Sequence, residues 1–190
     1  MYCNYFHRRT EILDVGCGIR NITKYIKFKN YLGIDISKVA LKKAKSKKIK
    51  NCKFINVSAE EFFTKKKFDI IIFNEVLYYL DALAILNKFE SFLKKDGFFV
   101  ISMWENPKTL KLWKKIEKTY NCIDSTKVIH MKSGNKWNVG IFTIKKSKVE
   151  AQPYRGFWTF LYETSFGSLK KLFLILFGKL QPLLFLLLLF

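Results

Sequence analysis

A short apolar run that ends in an acid and then two glycines constrains this chain most: Glu11-Ile12-Leu13-Asp14-Val15-Gly16-Cys17-Gly18. Glycine has no side chain in the way, so such a loop lets the backbone come close to a bound group. The helix expected after it presents free N–H groups to an anion. A second run, Tyr31-Leu32-Gly33-Ile34-Asp35, also ends in an acid. An acid at that distance from a glycine loop can accept hydrogen bonds from a ribose. Together, Asp14, Gly16, Gly18 and Asp35 point to a nucleoside cofactor.

The remaining pattern alternates strand and helix. Strands are expected at 12–15, 31–36, 53–57, 69–74 and 98–103, with a helix over about 20–28 and another over 38–48 capped by Ser37. Ser58 is expected to cap a short helix through Phe63, and Asp81 a helix to Leu93 whose Leu83, Leu86, Phe89 and Leu93 keep helical spacing. Lys95-Asp96-Gly97 reads as a turn, and Asn106-Pro107 opens a helix to about Tyr120. A hairpin follows, 127–131 and 137–144, turning at Ser133-Gly134-Asn135. Repeated strand–helix units imply an α/β fold: a Rossmann-like parallel sheet with helices on both faces and an antiparallel C-terminal hairpin strand. Residues 1–150 form one domain on this reading, and 151–190 a hydrophobic extension.

That extension carries Leu172–Phe190, almost wholly Leu, Phe and Ile, interrupted by Gly178, Lys179, Gln181 and Pro182. A membrane-spanning helix needs about 20 apolar residues. Lys179 near its middle costs about 3 kcal/mol on insertion, while Lys170 and Lys171 stand where cytoplasmic positive charge belongs. A hydrophobic C-terminal helix, buried or at a membrane, is the expectation.

The net charge of +20 suggests a polyanionic partner. The arginines, however, are Arg8, Arg9, Arg20 and Arg155, and every other one of the 35 basic residues is lysine. Phosphate-reading surfaces favour the arginine fork, so Lys42–Lys50 and Lys65–Lys67 read as solvated faces and nucleic acid is not the expected partner. Cys3, Cys17, Cys52 and Cys122 lack the spacing of a metal site or disulfide framework. No metal is expected, and a reducing, cytoplasmic compartment is. Met1–Thr10 has no apolar core of a secretory signal. His7 and His130 are lone histidines, read as surface or satisfied positions.

From Glu11 to Ile144 the chain resembles the class I (Rossmann-like) S-adenosylmethionine-dependent methyltransferases. Five stretches carry the resemblance in order: Ile12-Leu13-Asp14-Val15-Gly16-Cys17-Gly18, Gly33-Ile34-Asp35-Ile36-Ser37, Val57-Ser58-Ala59-Glu60, Phe68-Asp69-Ile70-Ile71-Ile72-Phe73-Asn74-Glu75-Val76, and Leu93-Lys94-Lys95-Asp96-Gly97-Phe98-Phe99-Val100. Asn74-Glu75-Val76-Leu77-Tyr78-Tyr79-Leu80 is most similar to small-molecule enzymes of the family, including N-methyltransferases of nodulation factors. The resemblance implies S-adenosylmethionine as cofactor. It implies that Gly16 and Gly18 cradle the methionyl part, Asp14 orients the loop and helps hold the amino group, and Asp35 takes the ribose hydroxyls. Ile36 lies along the adenine, and Ser58 and Ala59 meet its edge where the family usually has Asp. Asn74 stands near the sulfonium, with Glu75 and Tyr78 toward the substrate; these three are the catalytic candidates, and Glu75 is the nearest base if the acceptor enters protonated. The implied activity is methyl transfer to N or O of a small molecule, sugar or lipid.

Two departures accompany it. Arg20 replaces a frequent third glycine, where it crowds the cofactor or pairs with its carboxylate. Ten residues precede Glu11 where the family carries a closing helix, so a lid is expected to be lost, supplied by another chain, or replaced by the C-terminal segment. Competing readings are a nicotinamide dehydrogenase, which wants Gly or Ala at Asn21, and a nucleic-acid methyltransferase, which wants Pro-Pro after Asn74. A third is a membrane-tethered module that binds without turnover.

Overall fold

The computed structural model describes residues 10–19 and 22–145, and the backbone of 158–162. Five parallel strands come first: β1 (Glu11–Val15), β2 (Asn30–Asp35), β3 (Cys52–Asn56), β4 (Phe68–Asn74) and β5 (Leu93–Trp104). β6 (Asn121–His130) and β7 (Lys136–Thr143) add the antiparallel hairpin, and β8 (Trp158–Tyr162) runs parallel to β6. The sheet order is β3-β2-β1-β4-β5-β7-β6-β8. β1 therefore stands between β2 and β4, where the strand order reverses. In open α/β sheets that point opens the ligand crevice at the carboxyl ends of the strands.

Three helices are described: α1 (Lys38–Ser46), α2 (Ala82–Glu90) and α3 (Pro107–Thr119). Each begins on a side-chain cap. Ser37 Oγ accepts from Ala40 N–H, Asp81 Oδ1 from Ala84 N–H, and Asn106 Oδ1 from Lys108 and Thr109 N–H. One sheet face packs Leu13, Ile71, Phe73, Phe99 and Ile101 against Leu86 and Phe89 of α2 and Trp113 and Ile116 of α3. The other packs Ile12, Tyr31, Ile70 and Ile72 against Ile22 and Ile26. β1 is buried throughout and β4 nearly so, as expected of central parallel strands.

Four local expectations are corrected. The helix over 20–28 is, among the described residues, a single 3-10 turn, Ile22–Lys24. β-Branched and aromatic residues dominate that short link, and they favour a helix weakly. Ser58 caps one turn and no helix: its Oγ accepts Glu61 N–H at 3.1 Å, and Phe62 N–H bonds Ser58 C=O at 3.0 Å. Lys95-Asp96-Gly97 does not separate α2 from its strand but bulges within β5. Leu93 pairs with Phe68 and Phe98 already with Ile70. A Cβ on Gly97 would lie 3.0 Å from Phe68 O, so glycine lets the bulge lie against β4. β6 starts at Asn121, six residues before the expected 127, and slips register between Cys122 and Asp124. No alternation marks that half-buried stretch.

No described helix is long and apolar enough to cross a membrane. Arg20, the residues before Thr10 and Leu172–Phe190 lie outside the described residues.

Candidate functional site

β1 and β2 deliver two carboxylates to one sheet face. Asp14 pairs in register with Gly33, and Asp35 follows two residues later on the same side of the pleat. Between them the chain turns at Gly16 and Gly18, both left-handed, with φ +69° and +54°. Gly16 and Cys17 N–H both bond Ile34 C=O, at 2.9 and 3.1 Å, which ties the loop to β2. The loop also lies close to the segment after β4: a Cβ on Gly16 would come 2.8 Å from Val76 Cγ2. Gly33 keeps the floor open in the same way, since a Cβ there would meet Cys17 Sγ at 2.7 Å and Phe54 Cδ1 at 2.8 Å.

Asp35 is the hinge of this half. Its Oδ2 accepts Gly18 N–H and its Oδ1 accepts Ser37 N–H, each at 2.7 Å. One carboxylate thus joins the glycine loop to the start of α1. Each oxygen keeps a further lone pair for an incoming hydroxyl.

Asp14 is only 2% exposed. Its Oδ2 accepts the Tyr31 hydroxyl, while Oδ1 has no hydrogen-bond partner. Burial pushes its pKa up to about 7; the Tyr31 hydrogen bond opposes the rise and the Asp35 charge adds to it. Burial, with the charges of Asp14 and Asp35, holds the Cys17 thiol firmly protonated, which leaves it no nucleophilic part.

The ends of β4 and β5 build the other half. Asn74 pairs with Ser102, and the Ser102 hydroxyl reaches Asn74 Oδ1 and Glu75 Oε1, the latter at 3.3 Å. Glu75 is left-handed (φ +57°), an uncommon state for a side-chain-bearing residue. Its Oε2 accepts the Tyr78 hydroxyl and Trp104 N–H, both at 3.0 Å. Burial and the Glu75 charge raise the Tyr78 phenol far above its ordinary value. Glu75 therefore joins β4, β5 and the 3-10 turn Leu77–Tyr79.

Of the residues expected from sequence, Asp14, Gly16, Gly18 and Asp35 form one group, and Asn74, Glu75 and Tyr78 another. Ile36, 76% exposed, follows Asp35 at the strand edge. Ala59 is buried against the core, and Ser58 is engaged with Glu61. Sequence reasoning missed Tyr31 and Ser102. Their signals were slight: a phenol at the start of an otherwise aliphatic strand, and one hydroxyl in the apolar run Phe98–Met103. Tyr79 and Trp104 are exposed at this edge. Among the described residues no cluster of His, Cys, Asp and Glu could hold a metal ion.

A family model described as a methyltransferase domain matches residues 6–152. A chemotaxis protein methyltransferase of Borreliella burgdorferi is 36% identical over 86 residues, 44% of this chain and 30% of that protein. A probable S-adenosylmethionine-dependent methyltransferase of Saccharomyces cerevisiae is 26% identical over 113 residues, 54% of this chain and 39% of that protein. The chain thus spans about a third of the length of these curated relatives. Among solved structures, the N-methyltransferase NodS of Bradyrhizobium japonicum, in complex with S-adenosyl-L-homocysteine, superposes with a TM-score of 0.62. It is 17% identical and the match covers 72% of this chain and 79% of that one, a likeness of fold. Family model and fold agree, and the chain belongs to the class I S-adenosylmethionine-dependent methyltransferases.

Proposed function

We propose that this protein transfers a methyl group from S-adenosylmethionine to a small acceptor. The observation that carries the reading is the pairing of Asp35, already bridging the glycine loop and α1, with a buried, half-partnered Asp14 on the same sheet face. The residues suit the group. Spare lone pairs on Asp35 match two ribose hydroxyls, and an orphaned buried carboxylate oxygen matches an ammonium. A loop with two left-handed glycines leaves its backbone open to the methionyl chain. Exposed Ile36 supplies an apolar face for adenine, with Ser58 at its edge.

The cofactor would supply a methyl on a sulfonium, open to in-line attack. The chain's part is to hold the reacting centres in line and keep water out. Asn74, held by the Ser102 hydroxyl at the end of β4, would stand beside the reacting sulfur. Tyr78 would face the acceptor, and Glu75, with its oxygens engaged by three donors, would position Tyr78 and the β5 end. With Glu75 so engaged, the reading favours an acceptor whose nucleophile needs no proton removed, such as a neutral amine, over a hydroxyl. The exposed rings of Tyr79 (77%) and Trp104 around the same edge favour one with an apolar part, a lipid or sugar lipid included. The composition of Leu172–Phe190 favours meeting such a lipid at a membrane.

Calorimetry with S-adenosylhomocysteine and with NAD tests the cofactor, and radiolabelled methyl transfer to pools of amines, sugars and lipids tests turnover. Binding of the former and not the latter, with label entering amines, is expected. Heat from NAD alone would overturn the reading.

A further inference from the structure

Tyr31 has no part in the chemistry of methyl transfer, yet its hydroxyl is the only described donor to Asp14. Tyr31 packs with Ile12, Ile22, Ile70 and Ile72 on the apolar face of the sheet, and Asp14 Oδ1 is left without a hydrogen-bond partner. A buried carboxylate with one anchored and one orphaned oxygen is costly to fold, unless a cation completes it. Resting on the proposed function, we infer that Tyr31 is a positioning residue for the cofactor: its hydroxyl fixes Asp14 through Oδ2 and so dedicates Oδ1 to the cofactor's ammonium.

The titratable groups facing Asp14 are few. From β2 come Tyr31 and Asp35; the loop contributes Cys17; Cys52 of β3 faces Tyr31. Tyr31 and Cys17 both stay protonated, since burial and then the Asp14 charge raise each of them. Asp14 itself, titrating at about 7, is the group that changes charge near neutrality. Only the ionised carboxylate pairs with an ammonium, so binding should weaken as pH falls below about 7. The Tyr31 hydrogen bond favours the ionised form. Removing it should move the midpoint up by about one unit, which is about tenfold in affinity below the midpoint.

The test is Tyr31→Phe, which keeps the ring and its volume. S-adenosylhomocysteine affinity is measured by calorimetry from pH 5.5 to 8 in both proteins, and the Asp14 carboxyl is titrated by carbon NMR without ligand. The expected result is a rise in both midpoints by about one unit, with affinity about tenfold lower at pH 6.5 and converging toward pH 8. Equal loss at every pH, or an unmoved Asp14 titration, would mean that Tyr31 only packs, and would overturn the inference while leaving the proposed function standing. Absence of binding by the unsubstituted chain at every pH would overturn both.

Discussion

Asp14 and Glu75 are both acids at strand ends along one edge of the sheet, and the fold has put them to opposite uses. Asp14 has one donor, a buried orphaned oxygen and a pKa raised to about 7. Glu75 has three donors, from Ser102, Tyr78 and Trp104, and a left-handed backbone that turns it back toward β5. The first is an unfinished polar site and the second a finished one. An unfinished buried carboxylate weakens the protein alone and is completed by a cationic partner, whereas a finished one stabilises the protein alone and has little left for a partner. On the proposed reading, ligand binding belongs to the β1–β2 side of the crevice and the Glu75 carboxylate is scaffolding.

The largest break in this picture should come from the residue that serves both purposes. Asp35→Ala removes the proposed acceptor for two ribose hydroxyls and unties Gly18 from Ser37. Hydrogen bonds to a charged group are worth about 1.5–3 kcal/mol each, so S-adenosylhomocysteine affinity should fall at least about a hundredfold. Far-ultraviolet circular dichroism should stay that of the unsubstituted chain, because Asp35 lies at the rim and the core strands keep their pairing. Unchanged affinity in calorimetry would remove Asp35 from the site.

Glu75→Ala should do the reverse, costing stability more than affinity. It strands the donors Tyr78 and Trp104 N–H together, while the Ser102 hydroxyl keeps Asn74, a loss of about 2 kcal/mol, or roughly 4–8 °C in Tm for a domain of this size. Cofactor affinity should change by less than tenfold. A variant that melts like the unsubstituted protein but loses turnover would make Glu75 a catalytic residue, and the contrast with Asp14 would fail.

Asp14→Asn sharpens the contrast through pH. The native carboxyl titrates at about 7 against an ordinary 3.8, so between those values the folded state keeps a proton that the unfolded state releases. The stability this contributes is present in full below about 4 and is lost as pH rises through 7. Asn carries no such charge, so the variant should be more stable than its parent at pH 8, on the order of 4 kcal/mol, and equal near pH 4. Its cofactor affinity should nonetheless fall. A stability difference independent of pH would mean that Asp14 is ionised and satisfied in some other way.

These two ends differ in how plainly the chain announces them. The glycine loop, Asp14 and Asp35 are legible because local chemistry makes them: an acid ending a strand, followed by residues that tolerate positive φ. The parallel sheet is legible because its central strands are unbroken apolar runs, as in Phe68–Asn74. The state of each carboxylate is not, because it depends on partners far along the chain. Tyr31 lies 17 residues from Asp14, and Ser102 lies 27 from Glu75. The bulge at Lys94–Gly97 and the early start of β6 are hidden for the same reason: each answers to the neighbouring strand and not to its own periodicity.

The smallest effect belongs to Ser58, which stands where the family usually carries an acid. Its hydroxyl accepts Glu61 N–H at 3.1 Å and faces Glu61 Oε2 at 3.3 Å, so its present work is to close the turn after β3. Ser58→Ala should cost about 1 kcal/mol of stability, the ordinary value of such a cap, and change S-adenosylhomocysteine affinity by less than about threefold. Ser58→Asp separates capping from recognition. An aspartate also accepts the Glu61 N–H, so the turn survives, although the carboxylate of Glu61 repels it. If position 58 meets the adenine amino group, the added charge should strengthen binding several-fold despite that repulsion, since hydrogen bonds to charged groups are about twice as strong as neutral ones. If affinity instead falls with stability unchanged, the adenine edge lies elsewhere, and the β2–β3 side of the crevice must be assigned again from Ile36 outward.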